Sequence, residues 1–149
     1  MKKFLLIFAV ILTSCSYQPI YINRSLQNVE FSKITIEGDP NISKKIINSL
    51  SLKENEFNDT LNDLLINSSY EIRETSKNTK GQVLSYRSII VVNLVINNKK
   101  NTILNKKFLK DFSYPNKDNK FELVQYQNNV KNNLINKMIE DIILFINLQ

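Results

Sequence analysis

Apolar positions along the chain switch between two periods. Ile34 and Ile36 alternate with polar neighbours, which predicts a first strand over Val29–Glu37. Gly38-Asp39-Pro40 ends it. Asp39 is a good helix N-cap, and Pro40 suits the first helical position, where no N–H is needed. Ile42, Ile46 and Leu50 then recur at i, i+4 and i+8 with Ile47 beside them, predicting a helix over about 40–52. Residues 53–59 read as polar linker. Residues 60–66 fit either state. Leu61, Leu64 and Leu65 suit a helical turn, whereas Leu64, Ile66, Tyr70 and Ile72 fit a period of two. The strand reading, about 62–76, is preferred. Lys77-Asn78-Thr79-Lys80-Gly81 is a hairpin connection.

Val83–Asn97 is the clearest strand. Leu84, Tyr86, Ile90, Val92, Leu94 and Ile96 share one face; Ile89, Val91 and Val95 share the other. A strand apolar on both sides is central and covered on both. After a turn at Asn97–Asn101, Thr102–Ser113 reads as a fourth strand, and Lys106, Lys107 and Lys110 suit a guarded sheet edge. Asn119 and Glu122 resemble a capping box. Leu123, Tyr126, Val130, Leu134, Met138, Ile142 and Phe145 follow at spacings of three and four, opposite Asn129, Asn132, Asn136 and Glu140. They predict an amphipathic helix over about 120–147. Phe121 and Tyr126 could face a partner, but the core reading is preferred. The order β-α-β-β-β-α implies an α+β two-layer sandwich, a mainly antiparallel four-stranded sheet with two helices on one face. The second face is left for something else to cover.

The N-terminus obeys neither period. Lys2 and Lys3 precede an apolar run from Phe4 to Leu12. Nine residues span about 14 Å as a helix, too short for a bilayer core of about 30 Å. The run reads as the core of a secretory signal. It ends in Leu12-Thr13-Ser14-Cys15, which resembles a bacterial lipobox: small residues before the cut and a thiol to accept a diacylglycerol. The alternative is an ordinary signal with an incidental Cys. The expected division is a lipoprotein signal at 1–14, a lipidated tether at 15–28 and one α+β domain at 29–149. With more than one acyl chain, Cys15 would hold the protein on a membrane stably. Ser16, not Asp, follows the Cys, and resemblance to known lipoprotein sorting rules then implies the periplasmic face of the outer membrane.

Composition then removes chemistry. Among 149 residues there is no His and no Trp, one Cys and two Gly. Triads built on His and Cys-rich metal cages are excluded, and so are Gly-rich phosphate loops. No cofactor or metal is expected. The pairs Asp111/Asp118 and Asp59/Asp63 show no sign of converging, so an enzyme is not expected. Net charge is +6 and falls to about +4 without Lys2 and Lys3, too little for a nucleic-acid footprint. Two surfaces remain as candidates. Ile89, Val91 and Val95 would form an apolar docking face, unless the tether or a loop folds over it. Lys77 and Lys80 at one hairpin, with Lys99, Lys100, Lys106, Lys107 and Lys110 around the other, would meet anionic lipid phosphates or act as a solvated guard.

One family ties these features together. Cys15-Ser16-Tyr17-Gln18-Pro19-Ile20-Tyr21 is similar to the Cys-Gly-Tyr/Phe-x-Pro-Leu-Tyr start of the LPS-assembly lipoprotein LptE (RlpB) family. The order of elements is also similar, with Gly81 in the hairpin and Tyr114 before the last helix. Ser16 stands for the usual Gly, and Ile20 for Leu. The resemblance implies a non-enzymatic outer-membrane lipoprotein. It would plug the LptD β-barrel, contact lipopolysaccharide and assist both its transport to the outer leaflet and barrel assembly. The alternative is a periplasm-facing lipoprotein that binds a soluble ligand or inhibits an enzyme, without a barrel.

Overall fold

The computed structural model describes residues 29–58, 60–98 and 101–147. Its elements are β1 (Glu30–Phe31), β2 (Ile34–Gly38), α1 (Pro40–Ser49), β3 (Lys53–Glu54), β4 (Asp63–Lys77), β5 (Val83–Asn97), β6 (Thr102–Pro115) and α2 (Lys120–Asn147). The main sheet runs β2-β4-β5-β6. Both helices lie on one face, α1 over β2 and β4, α2 over β5 and β6. The α+β sandwich with a four-stranded sheet is therefore as expected.

Three local readings change. β2 pairs parallel to β4, so the sheet is mixed, although β4–β5 and β5–β6 are antiparallel. α1 supplies the crossover that a parallel pair requires. The expected first strand is split in two. Ser32 donates its N–H to the Asn62 carbonyl at 2.9 Å, and the Lys33 carbonyl accepts from Leu64 at 2.8 Å. Residues before this junction pair instead with β3, inside the expected polar linker: Glu30 lies opposite Lys53 and Phe31 opposite Glu54. Burial of Phe31 accounts for that short parallel pair. Finally, α1 ends at Ser49 rather than near 52. Leu52 N–H reaches the Ile47 carbonyl and Ser51 N–H the Asn48 carbonyl, with Ser51 at φ 52°. This is a Schellman close with Ser where Gly is usual.

Between the layers lie Ile42, Ile46 and Leu50 of α1, Leu64 and Ile66 of β4, Ile90, Val92 and Leu94 of β5, and Val130, Leu134, Met138 and Ile142 of α2. The stripe expected for the long helix is thus its buried face. Asn119 caps that helix, its Oδ1 accepting from Phe121 N–H at 2.9 Å. Phe121 is not core: it is 68% exposed. It lies in the first turn of α2, where β5 residue Leu84 is also half exposed. Tyr126, one turn later, is half-buried and meets Tyr114 edge-on at 5.4 Å.

Hydroxyl groups thread the core. Ser68 on β4 donates to the Asp39 carbonyl at 2.8 Å, shares a 2.8 Å hydrogen bond with Ser43 of α1, and its own carbonyl accepts the Asp39 N–H. Ser88 on β5 sits between the Tyr70 and Tyr114 hydroxyls, at 3.0 and 3.1 Å. All three serines are buried, so these bonds satisfy groups that would otherwise be stranded. Burial also pushes the Tyr70 hydroxyl up from its ordinary pKa.

Asp39 joins the two helices. One carboxylate oxygen caps α1, accepting from Asn41 at 2.9 Å and Ile42 at 3.3 Å. The other accepts from Lys131 Nζ of α2 at 3.0 Å, and that ammonium lies 4.8 Å from the Tyr70 ring centre. Burial raises the carboxyl pKa, but Lys131 and the two backbone donors outweigh it, and the net direction is down. A folded pKa below the unfolded one gives stability that is full above the unfolded pKa of about 4. That stability is lost as pH falls through the folded value. Asp39→Asn, which keeps a capping oxygen, is expected to flatten the acid limb in urea unfolding between pH 7 and 3. Asp39→Ala should lose about 1–2 kcal/mol at pH 7.

Candidate functional site

Alternation along β5 sends Ser88, Ile90, Val92 and Leu94 under the helices. Ile89, Val91 and Val95 therefore share the opposite face, each half-buried by its neighbours in the sheet. Register completes the surface. Leu65 of β4 lies opposite Val95, and Leu109 of β6 lies opposite Val91. No element among the described residues packs over this face. The result is an apolar centre built from three strands, and Leu109 within it is 56% exposed. Leu65 and Leu109 join the patch only through register, which the periodicity of single strands did not reveal.

Polar groups frame and interrupt the patch. Asn93 lies between Val91 and Val95 along β5, with Asn67 on one side and Lys107 on the other. Its Oδ1 is buried and has no hydrogen-bond partner among the described residues. Further along, Arg73 forms a bidentate pair with Glu71 at 2.7 Å, and Arg87 lies 3.4 Å from Asp111. These exposed pairs contribute little stability, but they set a mixed-charge border at one end of the patch.

Lysines expected to act as a cluster are dispersed. Lys77 is opposite Val83 and Lys106 opposite Leu94, eleven residues apart along β5, or about 36 Å. Lys77 pairs with Glu74 at 2.8 Å, which holds its pKa above the ordinary value. Lys80 is exposed in the β4–β5 turn. Lys106 lies over the Phe145 ring at 5.3 Å, and Lys110 pairs with Asp141 at 2.7 Å. Lys107 stands apart from both, on the open face beside Asn93. Lys99, Lys100, Asp59 and Cys15 lie outside the described residues. Among the described residues there is no group of three or more metal-ligating side chains. No helix among them is long and apolar enough to cross a membrane.

Two surface grooves flank α2. One of about 610 Å³ lies between the β4–β5 hairpin and the start of the helix, with Leu84 and Val124 as apolar walls and Lys117 and Lys120 beside them. A second, of about 520 Å³, runs between β6 and the body of the helix. Neither is visible as a motif, because each forms from elements distant in sequence.

No family model matches the chain, and no curated protein matches it. Solved structures do. Rare lipoprotein B from Shewanella oneidensis superposes with a TM-score of 0.52 at 13% identity, covering 75% of this chain and 90% of that one. Lipoprotein B from Nitrosomonas europaea gives 0.49 at 15% identity over 81% of this chain and 83% of its own. A minor lipoprotein from Acinetobacter baumannii gives 0.48 at 13% identity, over 78% and 92%. Identity this low speaks to architecture, and the first of these carries the comparison. With both helices on one face of a β2-β4-β5-β6 sheet, the chain has the fold of rare lipoprotein B.

Proposed function

We propose that this protein is an outer-membrane lipoprotein of the LptE kind, anchored through Cys15 on the periplasmic face. Its domain fills the lumen of an LptD-like β-barrel and assists lipopolysaccharide delivery and barrel assembly. The observation that carries the reading is the rare lipoprotein B fold standing behind a lipobox cysteine. The open sheet face supports it. A monomer rarely leaves a contiguous apolar patch bare, and enclosure within a barrel would cover it. Barrel interiors are polar, and the Asn and Arg–acid border around the apolar centre suits such a wall. Lysines remain the candidate lipid contacts. Lys77, Lys80, Lys106, Lys107 and Lys110 are spread over both ends of the sheet, so each would act as a separate point charge toward phosphate. The groove at the start of α2, with Lys117 and Lys120 beside apolar walls, offers a second amphipathic contact. The role is one of fitting and contact, without catalysis.

Purification from native membranes in mild detergent is expected to bring down a large β-barrel in stoichiometric amount. Recovery of the chain alone, or with an inner-membrane transporter, would sink the proposal. Cys15→Ser should fold normally. Expressed behind a cleavable secretory signal, it is expected to move from the membrane to the soluble periplasmic fraction in cells lacking the barrel. If it fractionates with membranes there, the lipid is not the anchor.

A further inference from the structure

The open face of the sheet is crossed by one polar row. Register aligns Glu37 of β2, Asn67 of β4, Asn93 of β5 and Lys107 of β6, at right angles to the strands. The two ends of the row carry opposite charges. Glu37 accepts from Asn67 Nδ2 at 3.0 Å, and neither Glu37 nor Lys107 belongs to an ion pair among the described residues. At the centre, Asn93 Oδ1 is buried without a hydrogen-bond partner among the described residues. The neighbouring row on that face is Thr35, Leu65, Val95 and Asn105, polar at both ends and apolar between.

These rows are self-complementary. Sheets stack face to face about 10 Å apart with their side chains interdigitated. A twofold axis parallel to the strands, between β4 and β5, lays each row on the same row of a second copy in reversed order. β2 then faces β6, and β4 faces β5. Lys107 meets Glu37 of the second copy, and symmetry makes the contact twice. Asn93 meets Asn67, whose amide has one proton on Glu37 and a second to donate to the stranded Asn93 Oδ1. In the neighbouring row Leu65 meets Val95, and Thr35 meets Asn105.

We propose that the open face pairs with the same face of a second copy of this chain in that arrangement. The order of charges selects the occupant. A twofold axis along the row would instead set Lys107 on Lys107, and like charges in an interface repel. The chain's own residues 15–28 supply Arg24 for Glu37 but contain no acid for Lys107. Arg73 would lie over Arg87 of the second copy, but only six residues from Asn67, about 20 Å along the strand, where sheet twist draws stacked sheets apart. Both arginines also have an acid beside them, Glu71 and Asp111. From Val95 to Ile89 the four strands offer about 400 Å² in plan per copy, small for an interface, so the pair is a weak and exchanging one. It uses the face that a barrel would cover and does not rest on the barrel reading. It is a form of the chain without that partner.

Sedimentation velocity of the full chain in detergent tests this. A dimer is expected to form with rising concentration, half complete at about 10–100 μM. Lys107→Glu and Glu37→Lys each put like charges at both contacts and should weaken the dimer about tenfold or more. Both side chains are exposed, so the melting temperature should not change. An equimolar mixture of the two variants should dimerise again, because each of its two contacts once more joins opposite charges. Val91→Asp, two residues from Asn93 on the same face, should also leave a monomer. A monomer at every concentration would overturn the proposal and hand the face to residues 15–28 or to another protein. Failure of the mixture to recover the dimer would overturn it too. A dimer indifferent to Glu37→Lys would overturn it by moving self-association away from this face. No barrel is present in the assay, so the result stands apart from whether one co-purifies.

Discussion

Gly38→Ala is expected to remove a large part of the domain's stability. Gly38 ends β2 at φ +77°, a region that an L-residue enters only at a cost of about 1–2 kcal/mol. Space is the larger obstacle. A Cβ at this position would run into the Ser68 carbonyl oxygen, well inside van der Waals contact. That oxygen cannot yield cheaply, because it accepts the Asp39 N–H at 2.8 Å. Ser68 itself is tied through its hydroxyl to the Asp39 carbonyl and to Ser43. Relieving the clash would pull the start of α1 away from β4 and loosen the Asp39–Lys131 junction with it. The expected loss is about 3–5 kcal/mol, a large part of what a domain of this size possesses. Urea unfolding followed by circular dichroism measures it. Gly81→Ala is the control. Gly81 also has positive φ, at +78°, but open space surrounds it, so only the smaller backbone cost remains. Equal effects at the two glycines would mean that the Ser68 contact is not what makes Gly38 necessary.

A comparable loss is expected from Ile90→Ala, and almost none from Val91→Ala next to it. Ile90 is fully buried in the central strand beneath the helices. Its truncation removes transfer energy and leaves a cavity between rigid layers, about 2–4 kcal/mol. Val91 faces the other way, where no element among the described residues covers it, and its truncation should cost well under about 1 kcal/mol. Val91→Asp separates fold from function. The domain should melt nearly as before, while a charge at the centre of the open face should abolish recovery of the proposed barrel partner. If Val91→Asp unfolds the domain, the face is interior to the protein. If it folds and still recovers the barrel in full, docking uses another surface.

Legibility followed the range of the forces involved. β5 and the long helix were readable because each is a long run with one clean period, and burial of a single face imposes that period. The Gly38-Asp39-Pro40 stop was readable because capping and φ restriction act within four residues. The split of the first strand was not readable. Whether residues 30–31 pair with β4 or with 53–54 depends on where Asn62 and Leu64 come to lie, a contact across thirty residues. The close of α1 is not legible either: Ser51 adopts a left-handed conformation that usually belongs to Gly. The core reading of Phe121 fails because it lies in the first turn of α2 and stays 68% exposed.

For the candidate surfaces the division is sharper. Local pattern alone determines that Ile89, Val91 and Val95 share a face and that Lys106, Lys107 and Lys110 sit on an edge strand, and it gives Cys15 its place at the end of a string that resembles a lipobox. Side-chain alternation and leader chemistry are properties of neighbouring residues, so one chain suffices to read them. Tertiary structure decided that Leu65 and Leu109 widen the apolar centre and that Asn93 Oδ1 within it has no hydrogen-bond partner among the described residues. It also decided that Lys106 and Lys110 turn to the helix while the backbone edge stays open. Those outcomes depend on strand register and on where α2 lies across the sheet. Both are set by packing an entire core at once, and no short stretch of sequence encodes them.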